Sequence, residues 1–458
     1  MSVMGRIFMI GLLLCWPLGV AAETIKLDLA ALIQEARQHS DPRVALVQAK
    51  ARGAEAALAA VEAAKRARLN LELQGKRFES HDESSRRTDY QTVLEVKQPI
   101  PLFGRQQANE QAASQQQQRA QWEIVQAQAD FVVEVIERYY QLHASELAVQ
   151  NLDEAHALAY VRWDRAKELL ALGKTDELEV AQWLAQVERT RHKLYQARSE
   201  NRMVRGRLAL LTGHAVLENL IQPPKAPAKF PTEFEEQALF QFVMLNNPRA
   251  RAANLAVAAA RAKQQAVGFT PDFNLFARVG QSARPLSGRD RWAVGLTLSL
   301  PLWSGGALDA QQQQEAASVD TALAQQEALQ QTLQLALKQR LNEIADAKQG
   351  LIAAGASLRW AQANLLKRQS LYQMERVATL GDAMVEQTQA EADQVRAYGA
   401  YYGAAAQLAA LMGDAPEAAL QADYLVQLAA RSGQEHDSSK AGFTPPSGSG
   451  YGDNHVAQ

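Results

Sequence analysis

The chain has 458 residues, and its 48 basic and 50 acidic side chains leave a formal net charge of −2, so nothing in the charge favours a nucleic-acid partner. It holds one cysteine and only 7% aromatic residues, against abundant Ala, Gln and Leu. That composition excludes a disulfide scaffold and favours long packed helices or coiled coils.

The N-terminus reads as an export signal. Arg6 supplies the charge, Ile7 to Trp16 is an apolar run interrupted only by Gly11, and Val20-Ala21-Ala22 supplies small residues before Glu23. Cleavage is expected after Ala22, making residues 1–22 a signal peptide. The apolar run is short for a spanning helix, and no later segment approaches one. Beyond the signal, the chain is either free outside the cytoplasm or enters a membrane as strands. Cys15 lies inside the signal and follows Leu14, where lipidation would want a small residue.

Leu27 to Arg66 reads as helix, broken at Asp41-Pro42, where proline favours a new first turn. Leu69, Leu71 and Leu73 then alternate with Asn70, Glu72 and Gln74, which predicts a strand with one apolar face. The polar stretch from Ser80 to Asp89 reads as a loop, and the return strand as Tyr90 to Gln98. From Arg105 to Leu172 there is neither proline nor glycine, enough helix to extend about 100 Å. Phe131, Val135, Ile136, Tyr139 and Tyr140 mark its packed stripe. A partner helix is expected from Asp176 to Leu211.

Gln222 to Pro231 holds four prolines and reads as a linker. The same order then repeats. The helix from Asp41-Pro42 is answered 206 residues later at Asn247-Pro248. Phe273, Leu275, Ala277 and Val279 open a second strand pair, completed by Trp292, Val294, Leu296, Leu298 and Leu300 on one face, with Ala293, Gly295, Thr297 and Ser299 on the other. Helices are expected from Leu308 to Leu380 and from Asp382 to Met412, interrupted by Gly350, Gly355 and Gly403. The expected organisation is a first unit over 23–222, a second over 223–428, and a Ser/Gly/Pro-rich disordered tail over 429–458.

Four strands of about ten residues, apolar on one side and small or polar on the other, suit a transmembrane barrel. Four cannot close one, and open edges cannot exist in lipid, so several chains must share it. The lipid face should include Leu69, Leu71, Leu73, Phe273, Leu275, Leu296 and Leu298. A half-buried strand pair in a soluble protein shows the same alternation.

No catalytic or metal pattern stands out. The eight histidines are scattered without ligand spacing. Gly173-Lys174-Thr175 resembles the end of a phosphate loop, but Glu168 stands where the motif needs glycine. Neither a nucleophile elbow nor a dinucleotide fingerprint occurs, so no enzyme, cofactor or metal centre is expected.

The order helix, strand, strand, long helix pair, met twice, resembles the TolC-like outer-membrane factor family. The particular points are Asp41-Pro42 and Asn247-Pro248, QPIPLFG (98–104), LPLWSGG (300–306), and the helix endings LLTG and LMG. QPIPLFGR is similar to the heavy-metal efflux branch. The resemblance implies a mixed fold: a homotrimer with a twelve-stranded membrane β-barrel in outer-membrane lipid and a long periplasmic α-helical coiled-coil barrel. It implies an exit duct of a tripartite efflux system, joined by a periplasmic adaptor (membrane fusion) protein to an inner-membrane transporter. A type I protein secretion duct shares the fold, and a soluble periplasmic coiled-coil adaptor is the alternative of another class. By analogy, the closed mouth and adaptor contact fall at two helix-to-helix turns, Gly173 to Glu179 and Leu380 to Glu386. These carry Asp176, Glu177 and Glu179, and Asp382 and Glu386. Under threefold symmetry, one inward carboxylate becomes a ring of three that attracts cations.

Overall fold

The computed structural model describes residues 28–431 apart from 40, 81–82, 214–229, 231–233, 269, 283–290, 375–378 and 422, with side chains left aside at 78–80, 83–89 and 282. The expected signal peptide, most of the proline linker with its 222/223 boundary, and the tail from 432 lie outside the described residues. Residues 424–431 are helical, so regular structure passes the expected tail boundary at 429.

Two short helices open the chain, α1 (Leu29–Gln38) and α2 (Pro42–Ala63). A strand pair follows, β1 (Arg68–Ser80) and β2 (Glu83–Ile100), then α3 (Arg105–Ala171) and α4 (Glu177–Thr212). The second round is α5 (Glu236–Asn246), α6 (Pro248–Ala266), β3 (Asp272–Ser282), β4 (Trp292–Ser299), α7 (Ala307–Gln373) and α8 (Leu380–Met412). Both α3 and α7 are 67 residues long, whereas α4 has 36 residues and α8 has 33, so the second return helix is the shorter one.

Three expectations need correcting. The polar stretch from Ser80 to Asp89 is not a loop: β1 and β2 stay paired out to Ser80 opposite Glu83. Polar sequence marks solvent contact, and a ribbon in solvent can be polar on both faces. The helix α7 ends at Gln373 instead of reaching Leu380, and Leu380 to Glu386 form the first turns of α8. Gly350, Gly355 and Gly403 lie inside continuous helices; a lone glycine costs helix propensity without breaking the ladder.

One antiparallel sheet, in the order β1-β2-β3-β4, holds both strand pairs, and β2 against β3 joins the two units. Below it, α3 packs on α4 and α2, and separately on α8 and α6, while α7 packs on α8 and α6. Each shorter helix therefore shares the length of α3 with another. Their ends meet. The C-cap Gly213 of α4 lies against His39, just before α2, and the C-cap Gly413 of α8 lies against Asn246, just before α6. Asn247 donates from Nδ2 to the Leu411 carbonyl at 2.9 Å, tying α6 onto the end of α8.

The duplicated Asp/Asn-Pro-Arg triplet builds these seams. Asp41 and Asn247 cap α2 and α6 through their side-chain oxygens, with proline at the first helical position. Burial would raise the Asp41 carboxyl, but hydrogen bonds from Arg43 outweigh it and hold it below the usual carboxylate value. Its capping contribution is thus present above the ordinary carboxylate pKa and lost as pH falls through the lowered one. The two arginines converge on α3 one turn apart: Arg43 reaches Glu134 at 2.7 Å and Arg249 reaches Asp130 at 3.2 Å. Beside the seams, α1 and α5 cover the core. Leu32, Ile136, Tyr139, Tyr140, Leu208, Leu239, Tyr402 and Leu408 are fully buried there, and the Tyr140 and Tyr402 rings stack 5.7 Å apart.

Gly413 has φ +82°, and a Cβ there would lie 2.5 Å from the Asn246 carbonyl oxygen. Gly413→Ala should therefore destabilise the fold by about 1–3 kcal/mol. Gly355, mid-helix with open space around it, should accept alanine with a gain of about 0.5–1 kcal/mol. Thermal unfolding of both variants tests the seam. If Gly413→Ala melts no earlier than Gly355→Ala, the close approach is wrong.

Candidate functional site

The sheet sorts its side chains by register. Leu69 faces Val96, Leu71 faces Leu94, and Leu73 faces Thr92. Val96 and Leu94 in turn face Ala277 and Val279, while Ile100 faces Phe273. Phe273, Leu275, Ala277 and Val279 face Leu298, Leu296, Val294 and Trp292. All seven residues expected to face lipid thus lie on one side of the sheet, joined by Leu94, Val96, Val279, Trp292 and Val294. Six of the seven are exposed in the single chain; Phe273 is half-buried, its ring 6.3 Å from that of Phe103. A contiguous exposed apolar face of this extent marks a partner or a lipid surface.

The opposite side carries Asn70, Glu95 and Arg278 in one row and Asn274 beside Thr297 in another. Phe276 breaks the alternation on this polar side. It lies over Gly295, where a Cβ would sit 2.9 Å from the ring, and the Arg278 guanidinium lies 5.7 Å from its centroid. The sequence held the signal in the glycine opposite an aromatic, but pairing was needed to see it.

At the far end of the long helices, the two hairpins are built differently. In the first, Asp176 caps α4 by accepting from the Glu179 backbone N–H at 2.9 Å, while Thr175 bonds Glu179; Asp176, Glu177 and Glu179 are all exposed. This acid cluster closes its own turn. In the second, Asp382 turns away from its hairpin to α3: Arg162 donates to both carboxylate oxygens at 2.6 Å. The same guanidinium lies 5.4 Å from the Trp183 ring of α4. Glu386 accepts from Asn364 of α7 at 2.8 Å and is exposed.

Sequence reasoning missed what holds α8 to α3. Gly381 allows their close approach, since a Cβ there would lie 2.7 Å from Leu158. Two turns further in, buried Asn151 donates to the Val385 carbonyl at 2.6 Å and to Thr388 Oγ1 at 3.0 Å. Thr388 donates in turn to Glu154 at 3.0 Å. Among the described residues no cluster of His, Cys, Asp and Glu could hold a metal ion, and no helix is long and apolar enough to cross a membrane.

The fold has counterparts among solved channels. The fold is similar to that of CusC, solved in a study of folding and transmembrane channel formation, with 18% identity and a TM-score of 0.67 over 85% of this chain and 93% of that one. It is similar to the Campylobacter jejuni CmeC outer membrane channel, with 16% identity and a TM-score of 0.69 over 84% and 85%. It is also similar to the open state of the Neisseria gonorrhoeae MtrE outer membrane channel, with 18% identity and a TM-score of 0.66 over 84% and 89%. Among curated protein sequences there is no significant match. The family model for outer membrane efflux proteins matches twice, over residues 32–214 and 240–414, once for each half of the duplication. A soluble adaptor is set aside by that match. The chain belongs to the outer membrane efflux protein family.

Proposed function

We propose that three copies of this chain form the outer-membrane exit duct of a tripartite efflux system, a passive conduit driven by an inner-membrane transporter through a periplasmic adaptor. The observation that carries this reading is that the single chain is open at both ends of both layers. Strands β1 and β4 are unpaired edges of the sheet. In the helical layer, α4 and α2 form one border and α7 the other. Both borders expose apolar side chains: Tyr195, Met203 and Leu210 on α4, and Leu335, Ile352 and Trp360 on α7. A second and third copy would bury these stripes and join β4 to a neighbouring β1, leaving twelve strands and no edge in lipid.

Charge at these borders should block closure. Met203→Glu and Trp360→Glu should each shift the protein from trimer toward monomer in detergent, measured by light scattering. Unchanged trimer in both would place the contact elsewhere. In the sheet, Leu296→Arg should cost about 2–4 kcal/mol per chain and impair membrane insertion, whereas Thr297→Arg, on the polar side, should insert normally. Equal tolerance of the two would reverse or abolish the facing.

The helix tips are proposed as the gate and adaptor contact. Asp382 serves there as the latch of α8 on α3 through Arg162, and Glu386 as the carboxylate facing the mouth. Arg162→Ala should loosen the α3–α8 contact and raise single-channel conductance in planar bilayers, with Asp382→Asn behaving alike. Glu386→Gln should leave conductance near wild type and reduce cation preference. A closed, low-conductance channel in Arg162→Ala would remove the latch.

A further inference from the structure

The polar side of the sheet holds one row that contact with water does not explain. Arg68, Lys97, Phe276 and Gly295 stand side by side across β1, β2, β3 and β4. The next row sets Asn70, Glu95, Arg278 and Ala293 in register. Arg68, Lys97 and Arg278 are exposed, and Phe276 is half-buried. Arg278 stands directly opposite Glu95, yet no ion pair joins them. Its guanidinium lies by the Phe276 ring instead, 5.7 Å from the centroid. Arg68 and Lys97 likewise have no ion-pair partner among the described residues. Two adjacent rows thus set three unpaired cations against one carboxylate, with an aromatic ring beside them.

Glycine sets the pose of that ring. A Cβ at Gly295 would lie 2.9 Å from it, so only glycine lets Phe276 lean over β4. The ring therefore lies against the wall and does not project across the passage. Twelve strands spaced about 4.8 Å apart and tilted near 40° close into a ring about 24 Å across between backbones. Three such rings of Phe276 leave its centre open.

Resting on the twelve-stranded barrel proposed above, we infer that Phe276, Lys97 and Arg278 form a binding shelf for aromatic anions on its inner wall, one shelf per chain. The solute's ring stacks on Phe276, where an offset aromatic pair adds to simple burial. Its anionic group lies toward Lys97, with Arg68 behind and Arg278 on the other side. An aliphatic anion lacks the stack, and an aromatic cation meets three like charges. A conduit needs sites weak enough to release what they catch, and an open, hydrated shelf is such a site. The acids proposed for the mouth lie a helix length away, about 100 Å, against a screening length of about 8 Å, so the two charged belts act independently.

Cys15 is the only cysteine, so Thr297→Cys on a Cys15→Ser background places a single thiol on the polar side, two residues from Gly295. The intact protein in lipid nanodiscs is treated with sulfonatoethyl or trimethylammonioethyl methanethiosulfonate, each rate being divided by that of a free thiol. The anionic reagent should react about tenfold faster than the cationic one. Benzenesulfonate should protect the thiol at a concentration about fivefold below that of methanesulfonate, and benzyltrimethylammonium should give no protection. Phe276→Leu should erase the difference between the two sulfonates and keep the anion preference, while Phe276→Tyr should retain both. Lys97→Gln combined with Arg278→Gln should bring the rate ratio close to that of the free thiol. Leu296→Cys, on the apolar side, should be inert to both reagents. Equal reactivity at 296 and 297 would sink the barrel and the shelf together. An inert 296 with a cation preference at 297, or with equal protection by the two sulfonates in the parent, would overturn the shelf and leave the barrel standing.

Discussion

Backbone hydrogen bonding is the constraint from which the rest of this molecule follows. A strand edge presents N–H and C=O groups that lipid cannot satisfy, and a four-stranded sheet has two such edges. The chain cannot remove them by itself, because each unit contributes only a hairpin. Everything below the sheet keeps the same openness. The helical layer is bordered by α4 with α2 on one side and α7 on the other, so the sheet and the helices end at matching borders. Family membership and an exposed apolar sheet face point to the same resolution in a closed ring.

Duplication has not made the two units equivalent. The helix α3 is packed on both flanks within its own chain, whereas α7 has its own chain on one flank only. Charge follows that difference. Both duplicated arginines, Arg43 and Arg249, pair with acids on α3, at Glu134 and Asp130. At the tips, Asp382 of the second unit also pairs with α3, through Arg162. The central helix is therefore the fixed member of the layer, and the second hairpin leans on it. In the first hairpin Asp176 caps its own helix and Glu179 bonds Thr175.

Much of this was legible in the sequence because the signals are local. The alternation of Leu69, Leu71 and Leu73 set the face of β1. Pro42 and Pro248 set the starts of α2 and α6, and the absence of Pro and Gly set the length of α3. The errors arose where one residue type serves two physical ends. The span Leu380 to Glu386 reads as a helix-to-helix turn, yet it is helical, and Gly381 within it permits helix contact beside Leu158. The polar residues from Ser80 read as a loop, yet solvent accepts polar strands equally well. Arg162 and Asp382, or Asn151 and Thr388, are more than 200 residues apart, and no local pattern pairs them. Of the acids proposed for the gate, the sequence could give the hairpin and the charge but not the direction each carboxylate turns.

The end-to-end seams at Gly213 and Gly413 have a mechanical meaning. Around the helical wall, α3 and α7 are continuous staves, whereas α4 with α2 and α8 with α6 are jointed ones. A jointed stave carries compression across its butt ends but little bending moment, because only side-chain caps and a few hydrogen bonds cross the joint. If the far hairpins swing as proposed, the jointed staves would hinge at the seam, and bending across it would fall to α3 and α7 alone. The half of the wall beneath the sheet would thereby be insulated from movement at the proposed mouth.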